Sequence, residues 1–288
     1  PESRVSRLKR LLQSKNIVRI LEAHNSLTGL IIENLKLTKN QKFLEFDGMW
    51  SSSLTDSAIR GKPDNQSVDY STRIIGLTEI LDVTNKPVIF DADNGGRIEH
   101  LPYLIRGLER AGVSAIVIED KIGLKKNSLF KNQSGVKQDS IENFCKKLKK
   151  AKESKLSSDL FIIARIESLI LGKGMKDAIK RAEAYSRSGA NAILIHSKKK
   201  NSREILSFAK KFAKNKYYKP MVAIPSTYSK IYEKDLAKNG FRIVIYANHL
   251  LRAAYPAMVD AAKKILINQR SFDIEKKLSS IDEVINLI

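Results

Sequence analysis

The chain has 288 residues, of which 42% are hydrophobic, and 52 Lys and Arg against 31 Asp and Glu give a formal net charge of +21. This length suits one large α/β barrel, and since no apolar run approaches the roughly 18 residues that span a bilayer, we expect no membrane association. One cysteine, Cys145, excludes an internal disulfide and fits a reducing compartment, so we expect a cytoplasmic protein.

The excess of basic residues could indicate a nucleic-acid-binding protein, because Lys and Arg neutralise phosphates. Here, however, they are spread along the whole chain. The densest runs, "CKKLKKAKESK" and "AKKFAKNKYYK", place lysines on the solvated faces of amphipathic helices. We interpret most of the charge as a lysine-rich surface and expect no nucleic-acid partner, with nucleic-acid binding as a remote alternative. A small anionic substrate would gain some electrostatic steering from this charge.

The predicted elements begin with an amphipathic helix over about residues 3–15, marked by Leu8, Leu11 and Leu12. After it, short runs rich in Val and Ile alternate with helical patterns, which is typical of repeated βα units. The predicted strands are 18–24, 43–50, 87–93, 114–120, 160–167, 191–197, 220–226 and 241–249. Eight units favour a (β/α)8 TIM barrel, and the lack of a dinucleotide-binding glycine motif and of a Walker A motif weakens an open sheet.

Three segments lie outside this repeat. Residues 51–67 follow Trp50 as a long polar segment that we expect to be a loop, and residues 121–138 form a lysine-rich, glycine-containing loop. The final segment, "EKKLSSIDEVINLI", predicts a terminal helix over about residues 275–287. A completed barrel does not require this helix, so we expect it to pack on a neighbouring subunit. The whole chain, residues 1–288, is interpreted as one barrel domain.

Polar side chains follow nearly every predicted strand, at the end of the barrel where active sites of this fold lie. Asp91 and Asp93 are two residues apart, so both side chains point to the same side of the strand, and Glu119 ends the neighbouring strand. Three carboxylates without a cysteine or histidine cluster suit a hard cation such as Mg²⁺. The alternative is a structural role, in which they cap helices or pair with lysines.

Arg165 and His196 end the next two predicted strands. A guanidinium fork and an imidazole donor together suit the oxygens of a phosphoryl group. The alternative is an ion network that only stabilises the carboxylates. The loops after the last strands lack the glycines of other phosphate-binding barrels, so side chains would have to bind the phosphate.

The segment "EDKIGLKKNS", residues 119–128, resembles the signature E-D-K-x-x-x-K-x-N-S of phosphoenolpyruvate mutases, in the isocitrate lyase superfamily. "EAHNSL", "DADNGG", "ARIES" and "ANHLLRAA" resemble the same family in the same order, and the resemblance extends from about residue 8 to the C-terminus. It implies a Mg²⁺-dependent enzyme that interconverts phosphoenolpyruvate and phosphonopyruvate. This intramolecular phosphoryl transfer forms the carbon–phosphorus bond in phosphonate biosynthesis.

The resemblance also implies roles by position. It implies that Asp91 binds Mg²⁺ directly, while Asp93 and Glu119 bind it through water. The catalytic residues that it implies are Asp64, Lys125, Asn127, Arg165 and His196. The substrate-binding residues that it implies are Trp50, Ser52, Ser53, Leu54 and Ser128, with the backbone amides of Ser53 and Leu54 holding the pyruvate enolate. Residues 121–138 would be the loop that closes the site and excludes water.

Two relatives in the superfamily provide the alternatives. Phosphonopyruvate hydrolases share most of these motifs but tend to have threonine where this chain has Asn127, so hydrolysis is the second hypothesis. Isocitrate and methylisocitrate lyases carry a catalytic cysteine in the gating segment, and this chain has Cys145 elsewhere. The family's usual D-x-D-T-G-Y-G is altered here to "DADNGGR", and "RGKPDN" surrounds Asp64.

The resemblance finally implies an assembly and a place in metabolism. Members of the superfamily form dimers and tetramers that exchange a terminal helix, so we expect a homodimer or homotetramer. The enzyme would act upstream of a phosphonopyruvate-consuming enzyme such as a decarboxylase.

Overall fold

A computed structural model describes residues 3–130 and 132–288. The strands are β1 Val18–Glu22, β2 Lys36–Lys39, β3 Lys42–Glu45, β4 Gly48–Ser51, β5 Val88–Asp91, β6 Ala115–Glu119, β7 Lys121–Ile122, β8 Lys137–Gln138, β9 Phe161–Ile166, β10 Ala192–Ile195, β11 Met221–Ala223 and β12 Phe241–Tyr246. The helices are α1 Arg4–Ser14, α2 Ser26–Asn34, α3 Ser53–Ala58, α4 Tyr70–Asp82, α5 Leu101–Ala111, α6 Ile141–Ser154, α7 Gly174–Arg187, α8 Arg203–Phe212, α9 Glu233–Lys238, α10 His249–Asn268, α11 Phe272–Glu275 and α12 Ile281–Ile285. The chain divides into two compact units, the first ending at Ala247 and the second comprising Asn248–Ile288.

The first unit contains a closed parallel barrel in the order β1-β12-β11-β10-β9-β6-β5-β4. The predicted (β/α)8 fold is therefore confirmed. Strands such as β6 and β9 are apolar along almost their whole length because helices cover their outer face and the core fills their inner face. Within residues 3–130 and 132–288, no helix is long and apolar enough to cross a bilayer.

Alternate residues of the barrel strands fill the centre. Ile20, Val117, Ile163, Leu194 and Ile243 belong to one buried cluster, as expected where successive side chains of a strand point to opposite faces. This layer is a packed core rather than a pore.

Helix α1 covers the amino ends of the strands. Its Leu8 is buried in the same core cluster. Arg242, at the start of β12, donates to the carbonyls of Leu12 and Lys15 at 2.6 Å, and Ser114, just before β6, donates to the carbonyl of Arg4 at 2.7 Å. With the amino ends covered in this way, the carboxyl ends are left to form the site.

The predicted second strand, 43–50, is wrong in its first half. Residues up to Glu45 belong to an antiparallel hairpin of β2 and β3, and the barrel strand begins at Gly48. The hairpin turns at Asn40 and Gln41, which both have positive φ angles of 52° and 60°, as two-residue hairpin turns require. Phe43 is 85% exposed, so the apolar run that predicted one continuous strand spans two unrelated elements.

The polar segment 51–67 is not a simple loop either, because it contains α3. Four residues of this short helix are buried, and Ser51 donates a hydrogen bond to Asp56 at 3.1 Å. Burial and this contact stabilise a helix whose serine-rich sequence has a low intrinsic helix propensity. The terminal helix predicted over about 275–287 is shorter than expected, because α12 spans only Ile281–Ile285 and Glu275 is the last residue of the separate helix α11.

Candidate active site

The carboxyl ends of the barrel strands bring the predicted polar residues to one end of the barrel. Asp91 and Glu119 are the last residues of β5 and β6, Arg165 lies in β9, and His196 follows β10. All four are buried. Their register explains this arrangement, since Asp91 pairs with Val117 and Glu119 pairs with Arg165 in the parallel ladder.

Asp91 lies at the centre of the carboxylate group. Its Oδ2 accepts a hydrogen bond from Ser53 Oγ at 3.0 Å, and its Oδ1 accepts one from the backbone N–H of Asp93 at 3.2 Å. Asp93 has a φ of 49°, a left-handed conformation that is uncommon for a residue other than glycine. This turn places the second carboxylate beside the first.

Lys125 provides the positive charge between these carboxylates. Its Nζ contacts Asp93 and Ser53 directly and lies 2.8 Å from Oδ1 of Asp64. Burial alone would lower the pKa of Lys125, but the carboxylates around it raise the pKa, so the side chain is an ammonium ion. One lysine from the loop 121–138 therefore joins the end of β5 to the loop that carries Asp64.

The surroundings shift the pKa values of Asp91, Asp93 and Glu119 in different directions. Burial alone would raise the pKa of Asp91, but Lys125, Arg165 and Arg73 together lower it, so this carboxylate is ionised. Burial and the nearby charge of Asp91 raise the pKa of Asp93. Burial raises the pKa of Glu119 to about 7.

Arg165 organises a second group of side chains. Its Nε donates to Glu167 at 2.5 Å, and its Nη2 donates to Ser128 Oγ at 2.8 Å and to Nδ1 of His196 at 2.9 Å. Nδ1 of His196 also lies 3.4 Å from Oε1 of Glu167, but because the guanidinium only donates and is closer, the geometry favours Nδ1 as an acceptor and the ring proton on Nε2. Burial and the charge of Arg165 lower the pKa of His196, which favours the neutral imidazole. Arg165 is also 3.4 Å from Glu119, so the two groups are continuous.

Two long loops meet over these groups. Asn127 donates from Nδ2 to Oδ2 of Asp64 at 2.7 Å, and Ser128 donates to Glu167 at 2.7 Å. Lys121 donates from Nζ to Ser128 Oγ at 2.7 Å. The loop 121–138 is thus bonded both to the segment that carries Asp64 and to the Arg165 group, a closed arrangement.

The side chains of three predicted substrate-binding residues take no part in these hydrogen bonds. Trp50 is buried in the barrel core, and its indole N–H has no hydrogen-bond partner among the described residues. Ser52 is buried at the N-terminus of α3, and Leu54 is half-buried in the first turn of that helix. Neither side chain joins the hydrogen bonds described above, whereas Ser53 between them bonds both Asp91 and Lys125.

Sequence reasoning missed Arg73 as a site residue. It is fully buried and donates to Asp56 at 2.9 Å and to the carbonyl of Asp91 at 2.6 Å. Its guanidinium also lies 3.8 Å from Asp93 and 4.2 Å from the centre of the Phe90 ring. A signal was present, because Arg73 occupies a position on the buried stripe of α4, four residues before Leu77. Glu167, which accepts from Arg165, and Lys121, which donates to Ser128, also lie outside the predicted set of site residues.

The donor set fits a hard divalent cation. The buried side chains of the site include more carboxyl groups than cations: Asp56, Asp64, Asp91, Asp93, Glu119 and Glu167 against Arg73, Lys121, Lys125 and Arg165. Oxygen ligands with retained water are typical of Mg²⁺. Among the described residues, no three His, Cys, Asp or Glu side chains form a group that would hold an ion together. A site with one direct carboxylate and water-mediated neighbours does not need such a group.

Comparison with known proteins agrees with this geometry. A family model described as phosphoenolpyruvate phosphomutase matches residues 8–266. The chain is 34% identical to a phosphoenolpyruvate phosphomutase of Tetrahymena pyriformis, over 99% of this chain and 91% of the relative.

Solved structures of a phosphomutase and of a hydrolase are also similar to this chain over nearly its whole length. A phosphoenolpyruvate phosphomutase from Streptomyces platensis subsp. rosaceus has a TM-score of 0.88 at 32% identity, covering 98% of this chain and 94% of that one. A phosphonopyruvate hydrolase in complex with oxalate and Mg²⁺ also has a TM-score of 0.88 at 32% identity, covering 99% and 95%. The chain is therefore an enzyme of the phosphoenolpyruvate phosphomutase family, within the isocitrate lyase superfamily.

Proposed function

We propose that this enzyme is a phosphoenolpyruvate mutase that interconverts phosphoenolpyruvate and phosphonopyruvate. The observation that carries the proposal is the hydrogen bond of 2.7 Å between Asn127 and Asp64, which joins two loops over the carboxylates and the Arg165 group. A mutase needs such closure, because the phosphoryl group must pass from oxygen to carbon of one substrate without meeting water.

The reaction breaks the bond between phosphorus and the enol oxygen and forms a bond between phosphorus and the methylene carbon. Phosphoryl transfer through a loose transition state depends mainly on positioning and on charge stabilisation of the equatorial oxygens. Arg165, His196 and Asn127 supply donors to those oxygens. Asp64 and Lys125 keep the closing loop in place during transfer, and Lys125 offers a further positive charge.

The pyruvate portion would be bound at the start of α3. Ser53 is tied to Asp91 at 3.0 Å, so its backbone amide and that of Leu54 are held close to the carboxylates. Trp50, Ser52 and Ser128 would complete this side of the pocket. Holding the enolate while it turns its carbon toward phosphorus is the positioning that an intramolecular transfer requires.

Mg²⁺ would be held directly by Asp91 and through water by Asp93 and Glu119, and when bound it would neutralise charge on the enolate and on the phosphoryl oxygens. Lys125 contacts Asp93 in this structure. Its ammonium group therefore shares with the cation the task of balancing the buried carboxylates.

Phosphonopyruvate hydrolase is the second candidate. It is supported by the solved hydrolase, which is as similar to this chain as the solved phosphomutase is, with a TM-score of 0.88 and 32% identity. Hydrolysis would require water to reach the phosphoryl group. Asn127, where hydrolases tend to have threonine, favours the mutase.

Phosphorus NMR of phosphonopyruvate incubated with the enzyme and Mg²⁺ tests the proposal. Conversion to phosphoenolpyruvate is expected, and accumulation of inorganic phosphate instead would identify a hydrolase. The Asp91→Ala variant under the same conditions is the control for non-enzymatic breakdown. With this activity, the enzyme would supply phosphonopyruvate to a consuming enzyme such as a decarboxylase in the cytoplasm.

A further inference from the structure

The two ends of the loop 121–138 form a short antiparallel ladder, in which Lys121 pairs with Gln138 and Ile122 with Lys137. The entering strand, β7, continues directly from the active-site strand β6. The returning strand, β8, ends the second half of the loop, of which residues 132–138 are described and are called the outer half. What holds β8 against the barrel therefore decides whether the outer half of the loop is fixed.

Gln138 makes the side-chain part of that connection, beside the backbone of Asp139, whose N–H donates to the carbonyl of Asp120 at 2.8 Å. Its Nε2 donates one hydrogen bond to Oδ2 of Asp120 at 2.9 Å and another to Oγ of Ser168 at 3.0 Å. Asp120 follows β6, and Ser168 lies two residues beyond β9, so one amide group joins the returning strand to two barrel strand ends. Both hydrogens of the amide are used.

Asp120, which accepts one of these hydrogen bonds, is itself held by several other groups. Asp120 is fully buried, and its Oδ2 also accepts from Tyr185 at 2.7 Å and from Arg181 at 3.2 Å. Its Oδ1 accepts from the backbone N–H of Glu167 at 3.0 Å. Glu167 is the partner of Arg165, so the group that holds Gln138 also fixes one side of the active site.

The rest of the outer half has little hold on the barrel. Among the described residues 132–138, the side-chain hydrogen bonds other than those of Gln138 stay inside the loop, as when Gln133 donates to the carbonyls of Asn127 and Phe130 at 2.9 Å. A cavity of about 810 Å³ separates residues 133–138 from the segment 170–173. Since this space is not packed, the outer half depends on its hydrogen bonds.

We infer that Gln138 is a positioning residue that latches the returning strand of the loop 121–138 to Asp120 and Ser168, and so holds the loop closed. The inner ties, from Lys125 and Asn127 to Asp64, involve residues that contact the substrate in the proposed reaction. Gln138 lies outside that set and acts through the loop. This inference rests on the proposed function only for its catalytic consequence.

Hydrogen–deuterium exchange on the full chain without substrate tests the latch directly. In Gln138→Met, which keeps the length of the side chain but removes both donors, exchange of the amides in residues 132–140 should become about ten-fold faster, as the loss of one hydrogen bond to a carboxylate and one to a hydroxyl allows. Gln138→Glu should have a larger effect, because its carboxylate would face Asp120. Lys137→Ala, at the exposed neighbouring position, is the matched control and should leave exchange unchanged.

Unchanged exchange in Gln138→Met, or equal acceleration in Lys137→Ala, would overturn the latch. Ser168→Ala removes only one acceptor and should give a smaller acceleration, which keeps the test valid if Gln138→Glu does not fold. The second readout is the fraction of phosphonopyruvate that ends as inorganic phosphate, which should rise in Gln138→Met because an open loop admits water. A wild-type enzyme that forms no phosphoenolpyruvate would overturn the proposed function and leave the exchange result standing.

Discussion

At the scale of single residues, the chemistry centres on an aspartate that is ionised in spite of its burial. Lys125, Arg165 and Arg73 lower the pKa of Asp91 against the effect of desolvation. Ser53 and the backbone of Asp93 orient its two oxygens. An oriented anion that keeps its charge inside a protein is a good direct ligand for a divalent cation.

Replacing this aspartate tests the metal assignment. Asp91→Asn keeps the size of the side chain and removes its charge, so calorimetry should detect little Mg²⁺ binding, and turnover should be lost even in excess Mg²⁺. Asp159→Asn, which removes a surface partner of Lys9 at 2.7 Å, is the control and should bind Mg²⁺ normally. Full activity of the wild-type enzyme after thorough chelation would remove the metal from the reaction.

Asn127 gives the second prediction. Its side chain donates to Asp64 at 2.7 Å and accepts from the N–H of Leu129 at 2.9 Å. Because it supplies one positioned donor near the developing charge, Asn127→Ala should lower kcat by about 10²–10³-fold. The thermal midpoint should hardly change, since the loop is not part of the core.

Asn132→Ala is the matched control for this measurement. Its side chain accepts from the N–H of Ser134 at 2.7 Å, within the same loop, and does not reach Asp64. If Asn127→Ala kept nearly wild-type mutase turnover, the role of the loop in catalysis would be refuted and the matching motif would reflect ancestry alone.

His196 gives a prediction about pH. Burial and Arg165 lower its pKa from the ordinary value of 6.5, so the unfolded chain binds a proton at a higher pH than the folded protein does. The contribution of His196 to the free energy of unfolding should therefore fall as the pH drops below 6.5. Urea denaturation at several pH values should show that His196→Gln, which lacks this contribution, loses less stability than the wild type over the same interval. An identical pH dependence in both proteins would show that His196 titrates normally.

At the scale of elements, the barrel depends on close packing where β4 begins. Gly48 precedes Met49, whose N–H donates to the carbonyl of Pro87 at 2.9 Å. A Cβ atom at position 48 would lie 2.5 Å from that carbonyl oxygen and 2.8 Å from Cδ1 of Ile20. Neither a backbone oxygen nor a packed core side chain can move away easily.

Gly48→Ala should therefore lower the free energy of unfolding by about 1–3 kcal/mol, the usual cost of overpacking. Gly61→Ala is a useful comparison, because a Cβ there meets nothing within 4 Å and only its φ of 62° is unfavourable. Chemical denaturation of both variants measures the difference. A smaller loss at Gly48 than at Gly61 would contradict the steric argument.

The elements also show what the sequence can and cannot predict. Apolar runs predicted the barrel strands because parallel strands are buried on both faces, and the polar residues after them predicted the cluster of buried side chains at the carboxyl ends of the strands. The hairpin of β2 and β3 was missed because exposed apolar residues such as Phe43 imitate a buried strand. The roles of Arg73 and Gln138 were also missed. Their partners, including Asp56 and Ser168, are distant in sequence or on other elements, and no local pattern encodes those contacts.

At the scale of the whole molecule, exposed apolar side chains are concentrated in the second unit, Asn248–Ile288. The large ones are Tyr255, Met258, Ile265, Leu266, Ile267, Phe272, Leu278, Ile281, Val284, Ile285, Leu287 and Ile288. Helix α10 extends over 20 residues and has no buried residue. Apolar surface of this extent on a single chain usually marks an interface.

We therefore predict a homo-oligomer, a dimer or a tetramer in which the second unit packs on a partner. Because each chain carries a formal charge of +21, subunits repel one another, and salt should strengthen their association by screening that repulsion. Light scattering should give a multiple of the 32.4 kDa chain mass, with tighter association at higher ionic strength. The Leu266→Ser, Ile267→Ser double variant should dissociate or aggregate, whereas Lys263→Ser should assemble normally. A wild-type chain that stays monomeric at all salt concentrations would refute the interface and leave the apolar surface of α10 to another partner.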